Sequence, residues 1–139
     1  MKPNVIFLCT GNSCRSQMAE GWARHLHGHK IAVFSAGLLA KGLDPRAAQV
    51  MAEAGVNISK QESNSIQELS PGLHFDLVVT VCDHAQEHCP VLPGSGKTLH
   101  RSFPDPPALA AGEHDAQRAL DHYRQVRDGI REFVAELNL

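Results

Sequence analysis

The chain has 139 residues, of which 13 are lysine or arginine and 15 are aspartate or glutamate, giving a formal net charge of −2. This balance lacks the strong positive charge that nucleic acids and anionic membranes attract, so neither is expected as a partner. Lys2 and Pro3 lead directly into a short apolar run, and no apolar stretch approaches the length of a membrane span. We therefore expect one cytoplasmic, monomeric domain over residues 1–139.

The first half of the chain alternates predicted strands and helices. Residues 5–8 form a continuous apolar run typical of a strand buried on both faces, and a helix is predicted over 16–27. A second strand is predicted over 31–35. Asp44, followed by a proline, has the N-cap pattern of a helix that ends at Gly55.

The second half continues this alternation. Residues 65–68 have the capping-box pattern of one short helical turn, and 76–81 form a third buried strand. A fourth strand is predicted over 97–103, and 114–137 have the apolar spacing of a long amphipathic helix. Strands that alternate with helices predict a parallel sheet covered on both faces. The predicted fold class is therefore α/β, a three-layer α/β/α domain with a four-stranded parallel sheet.

The first predicted strand runs into the pattern Cys-x5-Arg-Ser, which begins at Cys9 and ends at Ser16. Backbone N–H groups between Cys9 and Arg15 can wrap around a tetrahedral anion, and the N-terminus of the following helix adds a positive field. The same field favours the thiolate form of Cys9, which is the nucleophilic form. Arg15 adds a planar, permanently charged fork that binds two anion oxygens at once. The pattern therefore predicts a nucleophilic cysteine within an oxyanion site.

The residues inside this loop fit the same interpretation. Gly11 is expected to supply the positive φ that such a tight path needs, and Asn12 tolerates the same region. Cys14 is expected to serve packing rather than catalysis. The alternative is a structural cysteine buried at the end of a strand, with Arg15 a solvated helix residue. The candidate anion-binding residues are Cys9, Thr10, Gly11, Asn12, Ser13, Cys14 and Arg15.

Two further cysteines follow the third predicted strand. Cys82 lies directly after that strand, hence at the same edge of the sheet as Cys9, so the two sulfur atoms can approach each other. A short helix predicted to start at Asp83 would separate Cys82 from Cys89 by about 10 Å along its axis. Because a disulfide needs Cα atoms within about 7 Å, joining these two cysteines requires the segment to unwind.

Three interpretations of the second cysteine pair compete. The favoured one is a redox relay in which Cys82 and Cys89 take over an oxidation begun at Cys9. The second is a pair of ordinary cysteines, one at a strand end and one under a loop. The third is a metal site. Its ligands would be Cys82, His84, His88 and Cys89.

Asp105 lies between two prolines, which fix its backbone and disfavour a helix. Its carboxyl group is therefore expected on a stiff loop. A departing oxygen needs a proton, and an aspartic acid held near the loop after Cys9 is a suitable donor. The alternative is a plain turn aspartate.

These motifs together resemble the thioredoxin-coupled arsenate reductases, which have the low-molecular-weight protein tyrosine phosphatase fold. The likeness begins with the loop from Cys9 to Ser16 and the Gln-Met-Ala-Glu-Gly-Trp that follows it. It covers essentially the whole chain, including Ser-Ala-Gly after the second strand, Cys89-Pro and Asp105-Pro. The Cys-x5-Arg-Ser pattern alone indicates only the phosphatase superfamily, whereas the added pair Cys82 and Cys89 distinguishes the reductases.

The resemblance implies a mechanism for this chain. Cys9 would attack arsenate held by the loop, with Ser16 stabilising its thiolate and Asp105 protonating the departing hydroxyl. Cys82 would then attack Cys9 and release arsenite. Cys89 would attack Cys82, and thioredoxin would reduce the resulting disulfide. A glutathione and glutaredoxin system ranks second as the reductant.

Some members of this family bind a potassium ion near the loop through residues that correspond to Asn12, Glu20 and Ser35, together with an acid. Here the position of the acid is occupied by Asn64, so at most a weak potassium site is expected. Neither a resident metal nor another cofactor is expected.

Two other functions remain as alternatives. The first is a low-molecular-weight protein tyrosine phosphatase, and weak phosphatase activity is expected in any case. Such phosphatases carry aromatic residues after Asp-Pro, whereas this chain has Pro107 and Ala108. The second is a metal- or metalloid-sensing binding protein that uses Cys82, His84, His88 and Cys89.

Overall fold

The computed structural model describes residues 2–83, 90, 92 and 96–139. Its sheet has four parallel strands in the spatial order β2-β1-β3-β4. The strands are β1 Asn4–Cys9, β2 Ala32–Gly37, β3 Leu77–Thr80 and β4 Lys97–His100. The helices are α1 Arg15–His27, α2 Pro45–Glu53, α3 Pro106–Ala110 and α4 Ala116–Glu136, with one 3-10 turn at Ile66–Glu68. The predicted α/β fold with a four-stranded parallel sheet is confirmed.

β1 is the central strand and its side chains alternate between two cores, as the two-residue period of a strand requires. Val5, Phe7 and Cys9 belong to a large buried cluster with residues of α1 and α4. Ile6 and Leu8 belong to a smaller cluster on the other face. Both faces of the sheet are therefore covered at β1. Successive side chains of this strand are all buried, which explains the unbroken apolar run over residues 5–8.

Local signals in the sequence define α2 well. The Asp44 side chain accepts a hydrogen bond of 2.8 Å from the Arg46 N–H, and Pro45 occupies the first helical position. The helix ends at Glu53, and Gly55 follows with φ of 87°. Gly55 tolerates this left-handed conformation because it lacks a Cβ.

Most predicted elements differ from the structure by one or two residues at their ends, and the larger differences lie in the second half of the chain. β4 ends at His100 rather than at residue 103, and the chain then turns toward Arg15, which binds the carbonyl of Phe103. α3 was not predicted at all. In the described parts of the chain, no helix is both long and apolar enough to cross a membrane.

Candidate active site

The loop between β1 and α1, residues 10–14, turns its carbonyl groups away from its centre. Residues 39–44, which follow β2, donate backbone N–H groups to three of these carbonyls. A fourth carbonyl, that of Cys14, accepts the Met18 N–H at 2.9 Å. A loop with outward carbonyls presents its amide N–H groups to the inside, as anion-binding loops do. The three pairs are Leu39 to Thr10 at 3.1 Å, Lys41 to Gly11 at 2.9 Å and Asp44 to Ser13 at 2.9 Å.

The positive φ of this loop lies at Asn12, with a value of 46°. The expectation that Gly11 would supply it is wrong. Asn12 is held in this conformation by its side chain, whose Oδ1 accepts the Asn64 N–H at 2.7 Å. A Cβ at Gly11 would lie 2.8 Å from Cδ of Lys41, an exposed and flexible side chain that can move aside.

A second glycine, Gly37, packs against the backbone of the loop, and the sequence did not reveal it as part of the site. Gly37 ends β2, and a Cβ at this position would lie 2.7 Å from both the Asn12 nitrogen and the Thr10 oxygen. Both atoms belong to the backbone and cannot move aside cheaply. The loop therefore packs directly on the end of β2, and the Ser-Ala-Gly sequence was the available signal.

Cys9 lies at the bottom of the loop with only 2% of its surface exposed. Its Sγ is 2.9 Å from the Ser16 hydroxyl oxygen, which also accepts a hydrogen bond of 2.8 Å from Asn12 Nδ2. Ser16 is thus brought to the position from which it can donate to a thiolate, as expected from the sequence.

Cys14 differs from Cys9 in its electrostatic surroundings. Burial raises the pKa of the Cys14 thiol well above its usual range, and the negative charge of Asp44 raises it further. Both cysteines are free thiols. Cys14 therefore stays protonated near neutral pH and is a poor nucleophile, which agrees with a packing role.

Arg15 connects the loop to the segment that follows β4. Its guanidinium donates to the carbonyl of Phe103 at 3.1 Å, and another of its nitrogens lies 3.6 Å from Asp105 Oδ1. The structure thus brings Asp105 to the loop, with 36% of its side chain exposed.

Asp105 is the N-cap residue of α3, and Pro106 occupies the first helical turn. Asp105 itself lies outside the helix, as expected, but the short helix that begins at Pro106 was not expected. A proline at the start of a helix loses no hydrogen bond, because the first N–H groups have no partner within the helix. The carboxyl group is still presented from a backbone that proline fixes.

Cys82 lies beside Cys9 because the two strands before them are paired. Leu8 is opposite Thr80 in the parallel register, and the Val81 N–H donates to the Leu8 carbonyl at 2.9 Å. Cys82 is fully buried, packs in the same cluster as Cys9 and is part of a disulfide. The structure therefore places the first two of the three predicted redox cysteines after neighbouring strands, at the same edge of the sheet.

The rest of the second cysteine cluster lies outside the described residues. This applies to Cys89 and to His84 and His88, so the prediction of a metal site there is neither supported nor contradicted. Within residues 2–83 and 96–139, no group of three or more potential metal-binding side chains was found.

The candidate potassium residues form a hydrogen-bonded cluster that does not fit the ion. The Ser35 hydroxyl donates to Glu20, whose other carboxylate oxygen accepts a hydrogen bond of 2.7 Å from Arg24. Asn12 turns its amide nitrogen toward Ser35 at 2.9 Å, and Asn64 takes part through its backbone N–H. Potassium needs converging oxygen ligands. Here a guanidinium already neutralises the carboxylate.

The model of the family "low molecular weight phosphotyrosine protein phosphatase" matches residues 4–138. This chain belongs to that family. The matched range includes the loop after β1, Cys82 and Asp105.

Several similar relatives within the family are arsenate reductases, which confirms the resemblance. The curated one from Halalkalibacterium halodurans is 47% identical over 130 residues, covering 93% of this chain and 90% of the relative. A solved arsenate reductase in its oxidized state has a TM-score of 0.78 at 33% identity, covering 99% of this chain and 96% of that chain. A thioredoxin-dependent arsenate reductase from Corynebacterium glutamicum has a TM-score of 0.61 at 29% identity, covering 95% of this chain and 60% of that chain.

Proposed function

We propose that this chain reduces arsenate to arsenite, with Cys9 as the nucleophile and thioredoxin as the reductant that restores the cysteines. The observation that carries the proposal is the position of Cys82 beside Cys9, next to the loop that ends at Arg15. A phosphatase with this loop needs only its first cysteine, whereas reduction needs a second thiol within reach. The similar relatives named arsenate reductase support the same reaction.

Substrate binding depends on the loop and on Arg15. The amide N–H groups of residues 10–15 surround the arsenate oxygens, and the N-terminus of α1 adds its positive field. Arg15 is held by the carbonyl of Phe103, so its fork is oriented before the anion arrives. Pre-organised donors of this kind stabilise charge without a cost of rearrangement.

The first chemical step forms a bond between sulfur and arsenic. The Cys9 thiolate attacks the arsenic atom, one arsenic–oxygen bond breaks, and the oxygen leaves as water after Asp105 donates a proton. The Ser16 hydroxyl, 2.9 Å from Cys9 Sγ, stabilises the thiolate before the attack.

The second step transfers two electrons to arsenic. The Cys82 thiolate attacks Cys9 Sγ, the sulfur–arsenic bond breaks, and its electron pair stays on arsenic, which leaves as arsenite. The product on the protein is a disulfide between Cys9 and Cys82. Cys89 then attacks Cys82 and regenerates the Cys9 thiolate.

The last step reduces the disulfide between Cys82 and Cys89. Thioredoxin provides two thiols, which become its own disulfide, and this chain returns to its reduced state. The relative from Corynebacterium glutamicum, named thioredoxin-dependent, supports this choice over glutaredoxin. The proposal includes a single-domain monomer in the cytoplasm, where thioredoxin keeps thiols reduced.

A weak phosphatase activity belongs to the same proposal. Cys9, Arg15 and Asp105 are sufficient to form and release a phosphorylated cysteine. Pro107 and Ala108 in α3 replace the aromatic residues that would hold a phosphotyrosine ring. We therefore expect hydrolysis of small aryl phosphates without a preference for phosphotyrosine peptides.

The test is NADPH consumption in the presence of arsenate, thioredoxin and thioredoxin reductase, with aryl phosphate hydrolysis measured on the same samples. Cys82→Ser and Cys89→Ser are expected to abolish arsenate-dependent turnover and to retain hydrolysis. Replacing thioredoxin by glutathione and glutaredoxin is expected to reduce turnover strongly. A wild type that hydrolyses aryl phosphate well but oxidises no NADPH with arsenate would instead be a phosphatase.

A further inference from the structure

A continuous chain of hydrogen bonds connects Cys9 to the last turn of α1. It starts at Cys9 Sγ, which lies 2.9 Å from Ser16 Oγ, and ends at Arg24, whose guanidinium binds Glu20 at 2.7 Å. The mechanism described above uses only its first two members. The full order is Cys9, Ser16, Asn12, Ser35, Glu20 and Arg24.

The orientation of Asn12 determines the direction of the middle bonds. Its Oδ1 accepts the Asn64 N–H at 2.7 Å, so its amide nitrogen must be the atom that faces the two serines. This nitrogen donates to Ser16 Oγ at 2.8 Å and to Ser35 Oγ at 2.9 Å. Both serine oxygens are therefore acceptors toward Asn12, and each serine keeps one hydrogen to donate elsewhere.

Glu20 fixes where the hydrogen of Ser35 goes. A carboxylate has no hydrogen to donate, so Ser35 donates to Glu20 and offers only its lone pairs to Asn12. The remaining hydrogen of Ser16 is then available to a Cys9 thiolate, whose Sγ lies 2.9 Å away. Glu20, by accepting from Ser35, and the Asn64 N–H, by donating to Asn12 Oδ1, therefore both favour the orientation in which Asn12 donates to Ser16.

Arg24 holds the Glu20 side chain in position through a contact of 2.7 Å. The guanidinium also donates to Gln61 Oε1 at 3.0 Å and to the Val33 carbonyl at 3.1 Å, so it is fixed on three sides. Gln61 donates in turn to Gln17 Oε1 at 2.8 Å, and Gln17 donates to the Asn12 carbonyl at 3.0 Å. A second route therefore connects Arg24 to the same loop.

Burial makes this arrangement effective over its length. Asn12 and Ser16 are fully buried and Glu20 is 8% exposed, so water does not compete for these bonds. In such surroundings hydrogen bonds polarise one another. Arg24, with 49% of its side chain exposed, lies on a surface cleft of about 650 Å³ that Lys60 also lines.

We propose that Arg24, acting through Glu20, is a positioning residue for Cys9: the pair directs the Ser16 hydroxyl hydrogen onto Cys9 Sγ and supplies the positive charge of this network without a metal ion. The inference concerns the reactivity of Cys9 and rests on the proposed function only where arsenate is used as the substrate. It predicts that activity does not require potassium.

The experiment compares Arg24→Gln with Arg24→Lys, which keeps the charge, and with Lys60→Gln, which removes a charge from the same cleft. The first measurement is the rate at which iodoacetamide labels Cys9 in the reduced full-length protein at fixed pH, with the label located by peptide fragmentation. The second is kcat and KM for arsenate in sodium and in potassium buffers. The first readout needs no arsenate chemistry, so its failure is distinguishable from failure of the proposed function.

Arg24→Gln is expected to slow Cys9 labelling and lower kcat about threefold to tenfold with little change in KM, a size typical of remote coupling. Arg24→Lys should recover most of the rate, and Lys60→Gln should match the wild type. Labelling at the wild-type rate in Arg24→Gln, or equal loss in Arg24→Lys, would overturn the proposal. So would a severalfold gain of wild-type activity in potassium.

Arg24→Gln could lose its fold, because Arg24 also binds Gln61 and the Val33 carbonyl. Ser35→Ala then serves as the second variant, since it interrupts the chain between Glu20 and Asn12 and leaves the Arg24–Glu20 pair intact. It is expected to slow Cys9 labelling about as much as Arg24→Gln. Unchanged labelling in Ser35→Ala contradicts the proposal.

Discussion

Tyr123 donates its hydroxyl to Asp44 Oδ2 at 2.6 Å and thereby ties α4 to the start of α2. Asp44 also caps α2 through its other carboxylate oxygen, and its backbone N–H binds the Ser13 carbonyl in the anion-binding loop. One aspartate therefore joins two helices and the loop. Sequence analysis identified Asp44 as a helix cap but gave no signal for this partner, 79 residues away.

Removing the Tyr123 hydroxyl should destabilise the protein. We expect Tyr123→Phe to lower the free energy of unfolding by about 1.5 kcal/mol, the lower range for a hydrogen bond to a charged group. Urea unfolding at pH 7 measures this, and the exposed Arg118→Lys on the same helix is the control. A Tyr123→Phe variant as stable as the wild type would contradict a stabilising role of the hydrogen bond between Tyr123 and Asp44.

The same pair predicts how stability depends on alkaline pH. Burial, followed by the hydrogen bond to Asp44, raises the pKa of Tyr123 above its ordinary value of about 10. Above pH 10 the unfolded chain releases this proton while the folded chain keeps it. This contribution to stability is complete below about pH 10 and is lost above it, by up to about 1.4 kcal/mol per pH unit.

Urea unfolding between pH 8 and pH 11 tests this sign, because Tyr123→Phe lacks the titrating group. The gap in stability between the wild type and Tyr123→Phe should narrow above pH 10. Tyr123 is the single tyrosine of the chain, so tyrosinate absorbance reports its ionisation directly. A gap that stays constant, with tyrosinate forming near pH 10 in the folded protein, contradicts the prediction.

Gly37→Ala should displace the backbone of the anion-binding loop. Its Cβ would meet backbone atoms of Thr10 and Asn12 at 2.7 Å, so we expect a loss of about 1–3 kcal/mol of stability, as in other overpacked sites. KM for arsenate should rise because the loop is displaced. Gly112→Ala is the matched control, since its Cβ would enter open space. Equal behaviour of the two variants in unfolding and kinetics would count against this packing.

Arg15→Lys should weaken binding of the anion. Lysine keeps one charge but cannot grip two oxygens while bonding the Phe103 carbonyl, so about 1.5–3 kcal/mol of binding energy is lost. KM for arsenate should rise about tenfold to a hundredfold. Steady-state kinetics measures this KM. A value within twofold of the wild type would contradict two-oxygen binding by the Arg15 guanidinium.

Asp105→Asn should lower kcat rather than binding. Asparagine cannot donate the proton that the departing oxygen needs, so kcat is expected to fall about 10²–10⁴-fold. The contact between Asp105 and Arg15 is long, 3.6 Å, and partly exposed, so stability should change by less than about 1 kcal/mol. The exposed Asp128→Asn is the control. If Asp105→Asn retained wild-type kcat, another group would have to be the proton donor.

The sequence predicted those features that depend on neighbouring residues. The strand before Cys9, the N-cap at Asp44 and the position of Cys82 directly after a strand follow from local apolar, capping and strand patterns. Which loop residue takes a positive φ depends on a distant partner, since Asn64 holds Asn12 from 52 positions away. The contact of Tyr123 with Asp44 and that of Arg24 with Gln61 are equally non-local, which is why patterns did not reveal them.

The central claim is the disulfide relay from Cys9 through Cys82 to Cys89. The most direct measurement is disulfide mapping by mass spectrometry after reduced protein reacts with arsenate for a single turnover without thioredoxin. We predict one Cys82–Cys89 disulfide per arsenite formed in the wild type, and a Cys9–Cys82 disulfide that accumulates in Cys89→Ser. Arsenite formed in Cys82→Ser at the wild-type rate, or a wild type in which arsenate produces no disulfide, would contradict it.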